Sequence, residues 1–222
     1  MSSRPQSLRS FWPAAGIESS GSNHFEITEF CPSGLTAQSQ VFYKMADQVT
    51  IDLFHVALNY GLQSLGFANI SLKEKQYEVL RELVVKKSDV LAVLPTGYGK
   101  SLIYQLLPPV LNFMEGSSAK KFSVMVISPL NALIRDQIVK IREAGLNVCM
   151  LKGDRLTRDD GGEDVSLTVP LETLLNTTYD LIFAHPEVVI DSRKVAKLLK
   201  NPAFKRKLRV IVVDEAHLVI DW

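Results

Sequence analysis

One eight-residue segment has the composition of a loop that binds phosphate groups. Residues Leu94–Ser101 read Leu-Pro-Thr-Gly-Tyr-Gly-Lys-Ser, follow a short apolar run and precede a pattern typical of a helix. Gly97 and Gly99 allow the backbone to turn its N–H groups inward around an anion, and the helix start adds its positive dipole end. Lys100 is predicted to reach the β- and γ-phosphates of a nucleotide, and the Ser101 hydroxyl is predicted to bind Mg²⁺.

The loop is a relaxed version of the usual pattern, because Leu94 stands where a glycine is expected. An ordinary glycine turn before a helix is the alternative interpretation. The strand-like run, the Gly-Lys-Ser sequence and the helix occur together here, which favours nucleotide binding over an ordinary turn. The residues predicted to contact it are Thr96, Gly97, Tyr98, Gly99, Lys100 and Ser101.

A second segment carries two adjacent acids, where catalysis is expected. Val210–His217 is a β-branched run that ends in Asp-Glu-Ala-His, and open α/β sheets bind ligands at such strand ends. Asp214 is predicted to hold Mg²⁺ through water, and Glu215 to orient and deprotonate an attacking water. With Lys100 they form the predicted catalytic set. His217 either links this site to other elements or only satisfies a loop hydrogen bond.

The sequence around these residues alternates short apolar runs with helical patterns. This alternation predicts an α/β fold, with a central parallel sheet flanked by helices. The predicted strands are Val90–Leu94, Val124–Ser128, Val148–Leu151, Leu181–Ala184 and Leu208–Val213. The predicted helices include Thr50–Leu65, Lys100–Phe113, Asn131–Ala144, Pro170–Leu175 and Ser192–Leu199. The acidic stretch Lys152–Ser166 is predicted to be a solvated loop.

Together these motifs resemble those of superfamily 2 helicases, and the residues between them resemble RecQ helicases. Ile127–Gln137, which reads ISPLNALIRDQ, is similar to the RecQ motif Ia, and Ala184–Glu187 is similar to the Pro-Glu motif Ib. Tyr104 and Gln105 also fit that family. The resemblance covers about Leu65 to Trp222. It implies a RecA-like P-loop NTPase domain and an ATP-dependent DNA helicase that moves 3′ to 5′, with ATP and Mg²⁺ as cofactors.

The same family has an adenine-recognition element upstream of the phosphate loop, usually Phe-Arg-x-x-Gln. Here it reads Leu-Lys-Glu-Lys-Gln over Leu72–Gln76, so Lys73 and Gln76 are expected to contact ATP. A Gln amide both donates and accepts, which suits the adenine edge. A solvated helix position is an equally good interpretation of Lys73. Ser71 and Glu74 have the spacing of a capping box, which predicts a helix that opens at Ser71.

The resemblance also implies contacts with nucleic acid. The residues expected along the strand-binding groove are Ser128, Pro129, Leu130, His185, Pro186, Glu187 and Trp222. Their backbone and hydroxyl groups would contact phosphates without reading sequence, and Trp222 would stack on a base. Between Ser192 and Arg209 lie eight basic residues and no acid. That run fits either a phosphate-binding surface or an ordinary solvated helix face.

Composition sets the domain boundaries and limits the class of protein. The 222 residues carry a formal charge of +1, so any contact with nucleic acid depends on local patches. Residues 1–45 are predicted to be a disordered tail, with Met45 as an alternative start. Residues 46–88 are predicted to form a helical segment with the adenine motif. Residues 89–222 are predicted to form the ATP-binding domain, incomplete at its C-terminus. Apolar runs of transmembrane length and zinc-type cysteine spacings are absent from the sequence, so we expect neither a membrane partner nor a metal cluster.

The leading hypothesis is therefore the ATP-binding half of a DNA helicase for repair or recombination, nuclear if the source is eukaryotic and otherwise cytoplasmic. Its partners would be single-stranded DNA, duplex junctions and a second RecA-like domain missing from this sequence. Without that domain we expect the chain to be nearly inactive. An RNA helicase of the DEAD or DEAH class is the alternative enzyme, although its motif Ia usually reads Pro-Thr-Arg-Glu-Leu. A non-catalytic nucleotide- or DNA-binding module is the alternative from a different class.

Overall fold

The computed structural model describes residues 37–116, 121–129, 131–157, 163–167, 169–176 and 178–216. Residues Val41–Trp222 form one compact unit, and Met1–Gln40 belong to a separate unit of which only the last four residues are described. The first helix begins at Ala37, inside the segment predicted to be a tail. The correction has a simple cause, since no glycine or proline follows Gly34 until Gly61 and Ala, Gln, Lys and Met favour a helix.

Eight α-helices and six strands make up the described part of the chain. The helices are α1 (Ala37–Ser64), α2 (Glu74–Arg81), α3 (Lys100–Met114), α4 (Asn131–Glu143), α5 (Leu171–Asn176), α6 (Pro186–Asp191), α7 (Arg193–Lys200) and α8 (Pro202–Lys207). A π-helical turn, Glu82–Lys86, continues α2. The strands are β1 (Ser123–Ile127), β2 (Val148–Leu151), β3 (Gly153–Thr157), β4 (Glu163–Leu167), β5 (Leu181–Ala184) and β6 (Leu208–Val213).

Four of the strands form the parallel sheet that the alternating pattern predicted. Their order is β2-β5-β1-β6, and β1 pairs in parallel with β5 on one side and β6 on the other. Alternate residues of β1 enter different cores: Val124 and Val126 pack with α1 to α4, whereas Met125 packs with residues of α5 to α8. Helices therefore cover both faces of the sheet, which confirms the RecA-like α/β fold class.

The apolar run before the phosphate loop was predicted to be a strand, and this prediction is wrong. Residues Val90–Leu94 have no strand assignment, and Leu91 and Val93 are 83% and 88% exposed. A strand is defined by hydrogen bonds to a neighbour, and Val90–Leu94 pairs with neither edge strand of the described sheet, β2 or β6. Periodicity showed that the run is apolar and extended, but it carried no information on whether a pairing strand lies beside it.

Two further regions differ from the sequence-based prediction. The acidic stretch Lys152–Ser166 contains the antiparallel pair β3–β4, with Asp154 opposite Ser166, and residues 158–162 lie outside the described part. The short helices α6 and α8 were not predicted. Each begins with a proline, Pro186 and Pro202, where the missing N–H has no cost. Among the described residues no helix is long and apolar enough to cross a membrane.

Candidate nucleotide-binding and catalytic site

The phosphate loop has the backbone conformation that its glycines predict. Gly97 and Gly99 have φ angles of +76° and +92°, in the left-handed region that side chains disfavour. Gly99 precedes the first residue of α3, Lys100, so the start of a 15-residue helix points its unpaired N–H groups at the loop. This combination of turned backbone and helix start provides a site for anionic phosphate groups.

The acid pair lies directly beyond the end of β6. The backbone N–H of Asp214 donates to the Ile127 carbonyl at 2.9 Å, which extends the pairing with β1 by one residue. Glu215 then adopts a left-handed backbone with φ of +53°, a conformation that costs a non-glycine residue roughly 1–2 kcal/mol. The turn brings Glu215 Oε1 to 3.9 Å from Lys100 Nζ. Strain of this kind persists where the surroundings fix it, commonly at active sites.

Electrostatics make Asp214 a suitable metal ligand. Burial raises the pKa of this carboxyl above its usual value, and the neighbouring charge of Glu215 raises it further. Both effects penalise the ionised form, so a divalent cation placed here would relieve them. Ser101, at the second position of α3, supplies a neutral oxygen. The donor set is therefore all oxygen, which suits Mg²⁺.

A hydrogen-bond relay that sequence analysis did not assign holds the Ser101 hydroxyl. Gln137 Nε2 donates to Ser101 Oγ at 3.2 Å, and Tyr104 Oη donates to Gln137 Oε1 at 2.6 Å. Tyr104 and Gln137 were noted only as residues that fit the RecQ motifs. For Gln137 the sequence gives no direct signal, because it lies 36 residues from Ser101 and its helix reaches the loop only in the folded domain.

The segment predicted to recognise adenine packs against the glycine loop. Gln76 is only 3% exposed, and its amide nitrogen donates to the carbonyl oxygens of Tyr98 at 3.2 Å and Gly99 at 3.0 Å. Its amide oxygen accepts from the Lys73 backbone N–H at 2.9 Å. The Lys73 ammonium lies 4.6 Å from the centre of the Tyr98 ring, a cation–π contact. Both residues are thus beside the loop, and in this structure the Gln76 amide supports the loop backbone.

The start of α2 corrects the predicted capping box. The helix begins at Glu74, and its N-cap residue is Lys73. This N-cap lies two residues after Ser71, where the helix was predicted to open. The Gln76 side chain accepts the hydrogen bond from the cap residue, so it occupies the position that Glu74 was expected to fill. The adenine motif itself, rather than the Ser-x-x-Glu pattern, stabilises this helix end.

Comparison with known proteins shows the family of this chain. The DEAD/DEAH box helicase family model matches residues 73–222. The chain belongs to the DEAD/DEAH box helicase family. Its relatives include the ATP-dependent DNA helicase hus2/rqh1 of Schizosaccharomyces pombe, 31% identical over 150 residues, which are 68% of this chain and 10% of that protein.

Other relatives confirm the resemblance to RecQ helicases. The ATP-dependent helicase SGS1 of Saccharomyces cerevisiae is 33% identical over 134 residues, 60% of this chain and 8% of that protein. The ATP-dependent DNA helicase RecQ of Synechocystis is 35% identical over 147 residues, 66% of this chain and 27% of that protein. The chain therefore spans only a small part of the length of these relatives.

The helicase segments expected to meet nucleic acid lie at the carboxyl ends of β1 and β5. Ser128 is 2% exposed, and its hydroxyl and His185 Nε2 are buried without a hydrogen-bond partner among the described residues. His185 Nδ1 lies 3.5 Å from Glu187 Oε2. Pro186 is buried at the start of α6, and Pro129 is partly exposed. Leu130, His217 and Trp222 lie outside the described residues.

The basic run of the helicase domain divides between structural and solvent-facing positions. Lys207 Nζ donates to the Leu175 carbonyl at 2.6 Å. Arg209 pairs with Glu115 at 3.2 Å and lies 4.2 Å from the centre of the Phe122 ring. On α7 the arrangement is different, because the buried residues Val195 and Leu198 form one face. The exposed residues Arg193, Lys194, Lys197 and Lys200 lie on the other positions.

Proposed function

We propose that this chain is the ATP-binding motor domain of an ATP-dependent DNA helicase that translocates 3′ to 5′. The observation that carries the proposal is the convergence of Lys100, Glu215 and Asp214 beside a left-handed glycine loop. Phosphoryl transfer requires positioning and charge stabilisation rather than covalent chemistry. A loop of N–H groups, a lysine and a carboxylate pair supply those two requirements.

The residues divide the chemistry between them. The loop backbone from Thr96 to Gly99 would surround the phosphates, and Lys100 would neutralise the β- and γ-phosphate oxygens. Ser101 and Asp214 would hold Mg²⁺, Asp214 through water, and the bound ion would offset phosphate charge. Glu215 would orient the attacking water and accept its proton. Glu215 Oε1 lies 3.9 Å from Lys100 Nζ, beyond hydrogen-bond distance, so this carboxylate uses none of the three ammonium donors that a phosphate oxygen would need.

Base recognition would come from Lys73, Gln76 and Tyr98. The Lys73 ammonium already lies over an aromatic ring, so it is placed to cover a flat base beside that ring. Reading the adenine edge with Gln76 requires its amide to exchange the bonds that it makes to the loop carbonyls. ATP binding and loop conformation would then depend on the same side chain.

DNA is the preferred nucleic acid in this proposal. Ile127–Gln137 reads ISPLNALIRDQ and lacks the Pro-Thr-Arg-Glu-Leu pattern of RNA helicases, and the relatives are DNA helicases by name. Ser128, Pro129, Leu130, His185, Pro186, Glu187 and Trp222 are the proposed groove residues. The same proposal includes strand separation, which is an isomerisation of DNA. It also includes a role in repair or recombination in a nucleus.

Binding measurements on the 222-residue chain test this function. A fluorescent ATP analogue should bind in the presence of Mg²⁺, and single-stranded DNA should bind more tightly than RNA of matched sequence at equal salt. A clear preference for RNA would favour the RNA helicase alternative. Absence of nucleotide binding by a folded chain would favour a non-catalytic module instead.

A further inference from the structure

Three side chains from two helices form a continuous hydrogen-bond relay that ends on the proposed metal ligand. Tyr104 lies one turn after Ser101 on α3, and Gln137 lies on α4. The Tyr104 hydroxyl donates to Gln137 Oε1 at 2.6 Å, and Gln137 Nε2 donates to Ser101 Oγ at 3.2 Å. The relay touches no part of the loop backbone, so it is separate from the contacts that Gln76 makes.

Tyr104 is the fixed end of this relay. It is 3% exposed, and its ring meets Phe183 of β5 edge-on, with centres 6.1 Å apart. Its hydroxyl donates to Gln137 Oε1 at 2.6 Å, as expected of a phenol, which keeps its proton at neutral pH. Because the Tyr104 hydroxyl donates to Oε1, the oxygen end of the Gln137 amide faces Tyr104. The NH₂ end of the same amide therefore faces Ser101.

The consequence for Ser101 concerns its lone pairs. A hydroxyl oxygen has two acceptor positions and one proton. The Gln137 amide occupies one acceptor position of Ser101 Oγ, which leaves a second acceptor position for a cation. Tyr104 also interacts with the Ser101 side chain, so removal of the amide takes away one of two groups that orient the hydroxyl.

We propose that Gln137, oriented by Tyr104, is a positioning residue that sets the Mg²⁺ affinity of the nucleotide site through Ser101. The inference rests on the proposed function, since it assumes that Ser101 is a metal ligand. Groups that orient a metal ligand typically change metal affinity about 10- to 100-fold when removed. The relay also connects α4, which begins directly after the motif Ia residues Ser128–Leu130, to the phosphate loop.

A Mg²⁺ titration at fixed concentration of a fluorescent ATP analogue tests the proposal. Gln137→Ala should raise the Mg²⁺ concentration at half-maximal binding about tenfold or more, and Tyr104→Phe should raise it in the same direction by less. In excess chelator both variants should bind the analogue as the parent does, because Lys100 and the loop backbone do not depend on the amide. Gln105→Ala removes a neighbouring, partly exposed glutamine on α3 and serves as the matched control.

A double-mutant cycle separates positioning from general loss of structure. In a Ser101→Ala background the further change Gln137→Ala should leave the Mg²⁺ midpoint unaltered, since the hydroxyl that it orients is gone. An unchanged midpoint in the single variant, or an equal loss of affinity with and without Mg²⁺, overturns the inference. If the parent itself shows no Mg²⁺-dependent binding, the proposed function fails together with it.

Discussion

Lys100 and Glu215 face each other at the centre of the site, and the lysine is the residue whose loss is simplest to interpret. Lys100→Ala should weaken binding of the Mg²⁺–ATP analogue about 10- to 150-fold, equivalent to the 1.5–3 kcal/mol of a charge-assisted contact. Lys140→Ala, an exposed lysine in the last turn of α4, is the control. Equal affinity of variant and parent, measured by fluorescence titration, would remove the phosphate-loop assignment.

Gln76 has two roles to distinguish, base recognition and support of the loop. Gln76→Ala removes the bonds to Tyr98 and Gly99, so affinity for both ATP and GTP should fall by about 0.5–1.5 kcal/mol per bond. Base recognition adds a second effect, a loss of the preference for ATP over GTP. Competition between the two nucleotides measures both effects, and a parent that binds ATP and GTP equally contradicts the adenine role.

Asp214 is expected to reduce the stability of the nucleotide-free chain. Its raised pKa means that the folded state binds the proton more tightly than the unfolded state, so ionisation opposes folding. Asp214→Asn should therefore raise the free energy of unfolding at pH 7, and this gain should vanish at pH values below 3.8, the ordinary pKa of an aspartate carboxyl. Urea unfolding at several pH values tests the sign. Stabilisation that persists in strong acid would require another cause.

At the scale of one element, α7 presents its charges away from the core. Arg193, Lys197 and Lys200 have the spacing i, i+4 and i+7, opposite the buried Val195 and Leu198. At 1.5 Å per residue this row is about 10 Å long. Among the described residues, Lys197 and Lys200 make no ion pair. The geometry keeps the phosphate-binding interpretation of the basic run open at this helix.

A charge-matched comparison tests that interpretation. The double variant Lys197→Gln and Lys200→Gln should weaken binding to DNA and reduce the salt slope of log affinity by about 2, since each phosphate contact contributes about 0.9. The control double variant Lys87→Gln and Lys140→Gln removes the same charge elsewhere. If anisotropy titrations across a salt series give the same slope for both variants, α7 is an ordinary solvated helix face.

At the scale of the 222-residue chain, the described sheet and helices provide one side of a nucleotide site. In the resembled family ATP lies between two RecA-like domains, and the second contributes an arginine that stabilises the γ-phosphate. Absence of such an arginine costs roughly 10³–10⁵ in rate. The 222-residue chain should therefore bind ATP weakly, hydrolyse it barely above background and separate no strands. Robust DNA-stimulated hydrolysis or unwinding by the purified chain would show that it completes its own site, for example with a second copy.

The sequence alone determined the parts of this protein whose chemistry is local. Gly97 and Gly99 predicted a loop that turns its N–H groups inward, because glycine accepts backbone conformations that side chains disfavour, and Asp214 with Glu215 predicted a catalytic strand end. The alternation of apolar runs and helices determined the parallel α/β fold, because strands covered on both faces have a distinctive composition. Each of these features depends on neighbours within a few residues.

Only the tertiary structure decided which distant groups meet. It showed that Val90–Leu94 pairs with no strand in the described part of the chain, that β3 and β4 pair across an acidic segment, and that the Gln76 amide bonds the loop 22 and 23 residues later. It also joined Gln137 to Ser101 across 36 residues. Contacts between segments that are far apart in the sequence depend on how whole helices and strands pack. The residues of one segment do not specify which other segment will lie beside it.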